Sequence, residues 1–511
     1  MKKQFIRNRK VRYAGITVVL TVLVVAVTVL ANAAFSTLAK RYQWYTSMLP
    51  VQRFDVTEDC FALLEEIFES EQDAKVEIIF CDKPSNIAED VTLTYVYNTA
   101  RTLEARFPEN LTITCHDIWT NPNTVRQYTT TLDPVTGETY EVALKSTSVI
   151  LVSENYHRVY QMTEFFTFKG GNTANLWAYN GEKKLASGIL RAVDLNAPVA
   201  CLTRNHGEIF YDYELLYLLD DAGYSVKYID LYNEEIPKGC DLLISYNPNT
   251  DLIDDEVSAV SEVDILNDFL AEDGNTFLVL LEDGTPKLPN FEAYLSDWGV
   301  AFNYYTDVST GNSYRYMVQD SSQSLTSDGY TIYGEAVREG GSDQILQGLD
   351  RKVVFKNATA MTAAQGFVNN GNGSYTSGNR TLYSLYESGA NAVSWANGVP
   401  VSGESAILMT LTEQKTEQAS SYVGVIASVD FSSEEFLQSA VYGNTDSMLR
   451  LFRTVGKEIT PEGLTVQPFA SRDISTITTA QMLRWTIGLA LTPAIVITAI
   501  AVFVLVKRRR A

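Results

Sequence analysis

The sequence predicts an α/β fold: two transmembrane helices, one N-terminal and one C-terminal, bracket an extracytoplasmic region made of a thioredoxin-like and a flavodoxin-like, doubly wound subdomain. Three observations predict it. The run from Pro198 to Leu231 reads as strand, loop, helix and strand. Short apolar runs alternate with helical periodicity through the rest of the interior, the pattern of βαβ units and a parallel sheet. Two long uncharged apolar stretches, 14–34 and 485–506, stand at the two ends.

Each terminal stretch is long enough to cross a hydrocarbon core of about 30 Å. Lys2, Lys3, Arg7, Arg9, Lys10 and Arg12 precede the first, and Lys507, Arg508, Arg509 and Arg510 follow the second. The positive-inside rule then places residues 1–13 and 507–511 in the cytoplasm as basic tails, and the bulk of the chain outside a cell membrane. Ala31-Asn32-Ala33 offers a competing expectation, a cleaved signal peptide, but the apolar region is longer than such peptides use. The chain carries 40 Lys and Arg against 62 Asp and Glu, a formal charge of -22. With so many of its cations in the tails, the interior is strongly acidic, which argues against a nucleic-acid surface.

From the first span the chain enters an expected first external domain, 35–183. Phe54 to Glu69 forms a helix with Thr57 as N-cap and Phe61, Leu64 and Phe68 on one face. Val76 to Cys81 is a strand, Leu93 to Phe107 a helix, Leu111 to Asp117 a strand, and 142–152 with 157–162 an antiparallel pair. Cys81-Asp82-Lys83-Pro84 lacks the second cysteine of a redox C-x-x-C motif, so Cys81 is read as packing at a strand end. Five widely spaced cysteines, Cys60, Cys81, Cys115, Cys201 and Cys240, make no disulfide framework.

The expected second external domain, 184–470, holds the central unit. Val199 to Leu202 is its strand and Thr203 to Glu208 its loop. Ile209, Tyr213, Leu215, Leu216 and Leu219 mark its helix, which Gly223 closes. Strands follow at 226–229, 241–246 and 276–281, with helices at 260–270 and 291–298. The segments 309–341 and 366–398, rich in Gly, Ser, Asn, Thr and Tyr, are expected as loop-rich insertions of exposed loops or hairpins. Strands 406–411 and 422–429 and a helix through Met448, Leu449 and Phe452 complete the domain, and 471–484 is a juxtamembrane linker.

Ligands in open α/β sheets sit beyond the carboxyl ends of the strands. That position is occupied here by Arg204, Asn205, His206, Gly207 and Glu208, the candidate ligand-binding residues. An imidazole and a carboxylate on such a loop suit a polar ligand or an acid/base pair. The competing assignment makes Glu208 a cap of the following helix, with Asn205 and His206 satisfying loop backbone groups. No cofactor motif, metal-ligand spacing, phosphate loop of the G-x-x-x-x-G-K-[ST] type or G-x-S-x-G elbow is present, so no catalytic residue or metal ligand is assigned. The 29 tyrosines allow a carbohydrate- or peptide-stacking surface.

Five stretches together are similar to one family. Phe54-Asp55-Val56-Thr57 follows the first span. Glu182 to Ala192 precedes the central strand. Leu202 to Glu208 matches an apolar strand ending in a G-H-G-E-like loop. Asp241 to Pro248 with Leu266 to Leu281 resembles a D-L-L-I, N-P and F-L-x-x-G-G pattern. Val429-Asp430-Phe431 and Gly443-Asn444-Thr445-Asp446 resemble late D-F and G-N-x-D elements. The chain thereby resembles the auxiliary component of gliding-motility-type (Gld-type) ABC transport systems, departing where Asn205 replaces the loop's first Gly and Asp273-Gly274 its Gly pair. The resemblance implies a bacterial cell-envelope protein: a non-enzymatic binding or scaffolding subunit that meets a membrane, a separate ABC permease and an ATPase, and an unknown substrate or envelope ligand. The alternative is a cell-surface ectoenzyme or carbohydrate- or peptide-binding protein using Asn205 to Glu208.

Overall fold

The computed structural model describes residues 54–469, apart from 134, 137, 169–175, 195–196, 209, 211, 255–259, 273, 403–404 and 417–419, together with Val19 and Arg484. From Phe54 onward they belong to one compact unit, in which two large hydrophobic cores define two lobes and a smaller cluster gathers Ile79, Cys81, Val125, Ile150 and Val159.

In the first lobe, α1 (Glu58–Ser70) begins where the Thr57 hydroxyl accepts from the Cys60 N–H. Its buried face, Cys60, Leu63, Leu64, Ile67 and Phe68, follows helical spacing. The helix α2 (Val91–Arg106) is capped by the Asp90 carboxylate, which accepts from Thr92 and Leu93. Strands β1 (Val76–Phe80) and β2 (Leu111–Cys115) are parallel, and β3 (Val149–Val152) and β4 (His157–Tyr160) extend them as an antiparallel hairpin in the order β2-β1-β3-β4. Beside this sheet lie β5 (Phe166–Phe168) and β6 (Leu176–Tyr179), joined antiparallel.

Helix α3 (Gly181–Val193) starts just before the expected domain boundary at 183, and its Leu185, Ala186, Ile189 and Leu190 join the first core. The second lobe follows. Strands β7 (Val199–Thr203), β8 (Ser225–Ile229), β9 (Cys240–Tyr246) and β10 (Thr276–Leu280) alternate with helices α4 (Glu214–Asp221), α5 (Glu262–Ala271) and α6 (Pro289–Asp297). Their sheet continues through β11 (Thr331–Ala336), β12 (Val353–Lys356), β13 (Arg380–Glu387), β14 (Ile407–Lys415) and β15 (Ser420–Ile426), in the order β8-β7-β9-β10-β15-β14-β13-β11-β12. The half from β8 to β15 is parallel; the half from β15 to β12 is antiparallel. Helix α7 (Asn444–Thr454) sends Met448, Leu449 and Phe452 into the second core. The chain then returns to the first lobe, where β16 (Gln467–Pro468) pairs with β6.

This architecture corrects the expected fold class. The molecule is mixed α/β with large sheets, and its main sheet is not the doubly wound parallel sheet expected, because the half from β15 to β12 runs antiparallel. The segments expected as loops or hairpins, 309–341 and 366–398, contain β11 and β13, the latter hydrogen-bonded along nearly its whole length to β14 and so part of the main sheet. Among the described residues no helix is long and apolar enough to cross a membrane. The helix α2, at 16 residues, spans about 24 Å at 1.5 Å per residue and has an exposed polar face, short of the roughly 30 Å needed. The expected spans, 14–34 and 485–506, lie outside the described residues apart from Val19. The structure therefore gives no support to transmembrane helices or to a membrane location with both termini cytoplasmic.

Candidate functional site

The parallel half of the sheet aims its strand ends at one edge, and the Arg204–Glu208 loop leaves β7 there. Asn205 and Gly207 both adopt positive φ, 77° and 71°. The chain therefore turns sharply at these two positions, in a conformation that Asn tolerates and Gly takes freely. That turn carries His206 inward, leaving it 6% exposed. Its Nδ1 lies 3.3 Å from Glu208 Oε1, and its Nε2 lies 3.1 Å from both carboxylate oxygens of Glu262, the first residue of α5.

The two carboxylates are themselves occupied. Glu208 accepts from the Thr203 hydroxyl at 2.9 Å and from the His206 N–H at 2.8 Å, and Glu262 accepts from the Ile253 N–H at 2.8 Å. The loop is tied down further. The His206 carbonyl accepts from the Asn249 and Thr250 N–H groups, and the Asn249 side-chain amide donates to the Gly207 carbonyl. The Asn205 amide donates to Asp230, and Arg204, on the surface, pairs with Glu234.

Electrostatics follow from this geometry. Burial by itself would lower the His206 pKa, but hydrogen bonds to Glu208 and Glu262 more than reverse that and push it up to about 9. The ring is therefore an imidazolium at neutral pH, donating from both nitrogens to two buried carboxylates. Such a group has no free lone pair with which to act as a base or bind a metal. The five sequence-selected residues are thus contiguous but point to different ends: His206 and Glu208 lock the loop, while Arg204, Asn205 and Gly207 face outward. Glu208 does not cap the next helix. The partner that completes the lock, Glu262, stands 56 residues away and carries no local sequence signal.

A second polar constellation was not legible in the sequence. A cleft of about 480 Å³ opens where the two lobes meet, beside the start of α3 and along α4. In it the Arg158 guanidinium of β4 pairs with Asp220 of α4, and Lys183 and Lys184 of α3 reach Asp221 at 3.4 and 2.7 Å. The doublets Lys183-Lys184 and Asp220-Asp221 are the signal that was available: two adjacent charges of each sign on amphipathic helices. Only the fold sets them against each other.

Elsewhere burial is the main influence on several thiols and phenols. The Cys81 thiol is pushed up to about 12 by burial and the neighbouring Asp82. All five cysteines are free, and all but the half-buried Cys115 are buried. Among the described residues no group of three or more His, Cys, Asp or Glu is arranged to hold a metal ion.

No family model matches the chain, and no curated protein matches it. A solved structure of the mmIFT52 N-terminal domain aligns with 50% of this chain and 96% of its own, at 13% identity and a TM-score of 0.35, a similarity too low to carry a fold or a function.

Proposed function

We propose that the protein is a non-catalytic auxiliary subunit, working by binding and scaffolding, of an ABC-type transport system whose permease and ATPase are separate chains. The observation that carries the non-catalytic part is the Glu208–His206–Glu262 lock. The residues best placed for chemistry at the carboxyl edge of the sheet have both imidazole nitrogens and both carboxylates committed to holding the loop. A buried, fully partnered arrangement of this kind rigidifies a surface and leaves neither imidazole nitrogen free to take a proton. The outward face of the same loop, Arg204, Asn205 and Gly207, is then a stiff platform for another protein. The transport assignment itself rests on the resemblance of the five sequence stretches, and the absence of a G-x-x-x-x-G-K-[ST] motif from this sequence is consistent with an ATPase on a separate chain.

The test is affinity purification of the full-length chain from its native cells, with mass spectrometry of the proteins recovered. A multi-span permease and a P-loop ATPase recovered together support the proposal. Recovery of the chain alone, or with partners of neither class, rejects it.

A further inference from the structure

One face of the parallel half-sheet is short of a helix. Right-handed crossovers put α4, which links β7 to β8, on one face, and α5, which links β9 to β10 in the opposite direction, on the other. The packing agrees: α4 lies against α3, and α5 against α6. The step from β8 to β9 runs the same way as the step from β9 to β10, so its crossover belongs on the α5 face. Parallel strands usually make that crossing with a helix, but residues 230–239 make it as turns and extended chain. Lys227, in the middle of β8, shows the result. The register sets it beside Cys201 and on the same face as Cys240, and it is exposed, whereas β9 is buried on both faces from Leu242 to Tyr246.

The thinly covered place is a groove of about 680 Å³ between α5 and the 230–239 chain. Its floor is apolar: Ile236 and Ile265 are half-buried against the second core, and Phe269 belongs to it. Its rim is acidic. Five acidic side chains and one basic, Lys238, line the groove, against 62 acidic and 40 basic in the whole chain. Of the five, Glu234 is taken up by Arg204 and by the Asp230 N–H at 3.1 Å. The carboxylates of Glu235, Asp241, Asp268 and Glu272 have no hydrogen-bond or ion-pair partner among the described residues. Ile265, Asp268, Phe269 and Glu272 follow one another at i, i+3, i+4 and i+7, so one stripe of α5 and its C-cap alternates apolar and acidic groups. Such a surface is complementary to an amphipathic segment carrying Lys or Arg, whose apolar side chains leave water on the floor while its cations meet the rim. The opening is in a helical layer, so the segment that fits it is a helix laid beside α5.

We propose that this groove receives an amphipathic basic α-helix of a partner protein, its apolar face on Ile236, Ile265 and Phe269 and its Lys or Arg side chains against Asp241, Asp268 and Glu272. The proposal deepens the scaffolding reading and rests on it, since the Arg204–Glu234 pair joins the groove to the outward face of the Arg204–Glu208 loop. It names what that face holds: a helix in the layer position that the 230–239 chain leaves open. The acidic rim steers encounter and loses force as salt rises, while the apolar floor sets how long the helix stays.

Fluorescence anisotropy of a labelled peptide titrated with the full-length chain tests this at about 0.15 M salt. The probe is a helical peptide of about 18 residues with Leu at i, i+3, i+4 and i+7 and Lys elsewhere; a second peptide has the same composition in scrambled order. The expected result is saturable binding of the patterned peptide, one per chain, with the scrambled peptide at least about tenfold weaker. Asp268→Lys combined with Glu272→Lys, both at exposed positions, should weaken the patterned peptide by at least about tenfold, and Ile236→Ser should weaken it as well. Glu69→Lys combined with Glu71→Lys, at exposed positions of the first lobe, makes the same change in net charge and should leave the binding as it was. The absence of saturable binding overturns the proposal. So does equal binding of the scrambled peptide, or equal loss in the two charge variants, either of which is the attraction of any basic peptide to an acidic chain. A concentration-dependent dimer, seen by sedimentation of the chain alone and lost in Ile236→Ser, gives the groove to a second copy and overturns it likewise. None of these results bears on recovery of a permease and an ATPase, and failure of that recovery leaves the peptide binding untouched, so the two failures are told apart.

Discussion

At the scale of the residue, the decisive fact is that His206 is charged and enclosed. Its folded pKa, about 9, lies above the value of about 6.5 expected when unfolded, so protonation favours the folded state. The stabilisation is complete below about pH 6.5 and is lost as the pH rises through about 9. Urea unfolding of the full chain should therefore show stability declining across that window, and His206→Gln should flatten the decline. His206→Ala should cost about 3 kcal/mol or more at neutral pH, since Glu208 and Glu262 would be left as buried carboxylates without a cation between them. A loss under about 1 kcal/mol would mean that the loop relaxes and admits water. The position of His206 on a strand-end loop was legible from its neighbours, because an apolar strand followed by polar turn residues is a local pattern. Its burial was not, because Glu262 belongs to another helix.

At the scale of the element, α3 shows packing overruling propensity. Gly188 sits in its interior, where Ala would favour the helix by about 1 kcal/mol. A Cβ there would lie 2.5 Å from the Tyr160 hydroxyl and 3.0 Å from Leu151 Cδ1, both on fully buried side chains of the adjoining sheet. Gly188→Ala is therefore expected to lower stability by roughly 1–3 kcal/mol, the cost of overpacking; a rise in the unfolding midpoint would show that the sheet yields. The same helix carries Glu182, 4% exposed, which accepts from the Thr57 N–H and hydroxyl at 2.7 and 2.6 Å and from the Gln467 amide at 2.6 Å. It thus ties the start of α1 to β16, and Glu182→Gln should cost about 2 kcal/mol through the loss of charge-assisted bonds. The helices and parallel strands were legible because each is one uninterrupted pattern: β10, for example, is buried at every position. β13 was not. Its sequence, Arg380 to Glu387, alternates Thr, Tyr and Ser with Leu and lies among Gly- and Asn-rich turns, so that its burial depends on strands β11 and β14, which are distant in sequence.

At the scale of the whole molecule, the question is whether two cores make one folding unit. Arg158 belongs to β4 of the first sheet and Asp220 to α4 of the second lobe, and both are nearly inaccessible, with side chains 7% and 2% exposed. Lys457, after α7, reaches Asp194 at the end of α3 at 2.7 Å, and the Arg191 guanidinium of α3 donates to the Ser225 hydroxyl at 2.6 Å. These bonds lie between the lobes, so separating the lobes would expose charged partners as well as apolar surface. The native protein should accordingly open as a whole: by hydrogen exchange and mass spectrometry, the amides of β3 and β9 should share one opening free energy. Breaking a buried pair from one side leaves the other charge uncompensated and costs about 3–5 kcal/mol. In Asp220→Asn that cost falls on the union of the lobes, because Arg158 can regain water only if the first sheet moves away from α4. The amides of Val149–Val152 should then exchange ahead of those of Cys240–Tyr246. If both sets instead speed up equally, the pair supports a single continuous core, and the two lobes are a division of sequence and topology with no counterpart in stability.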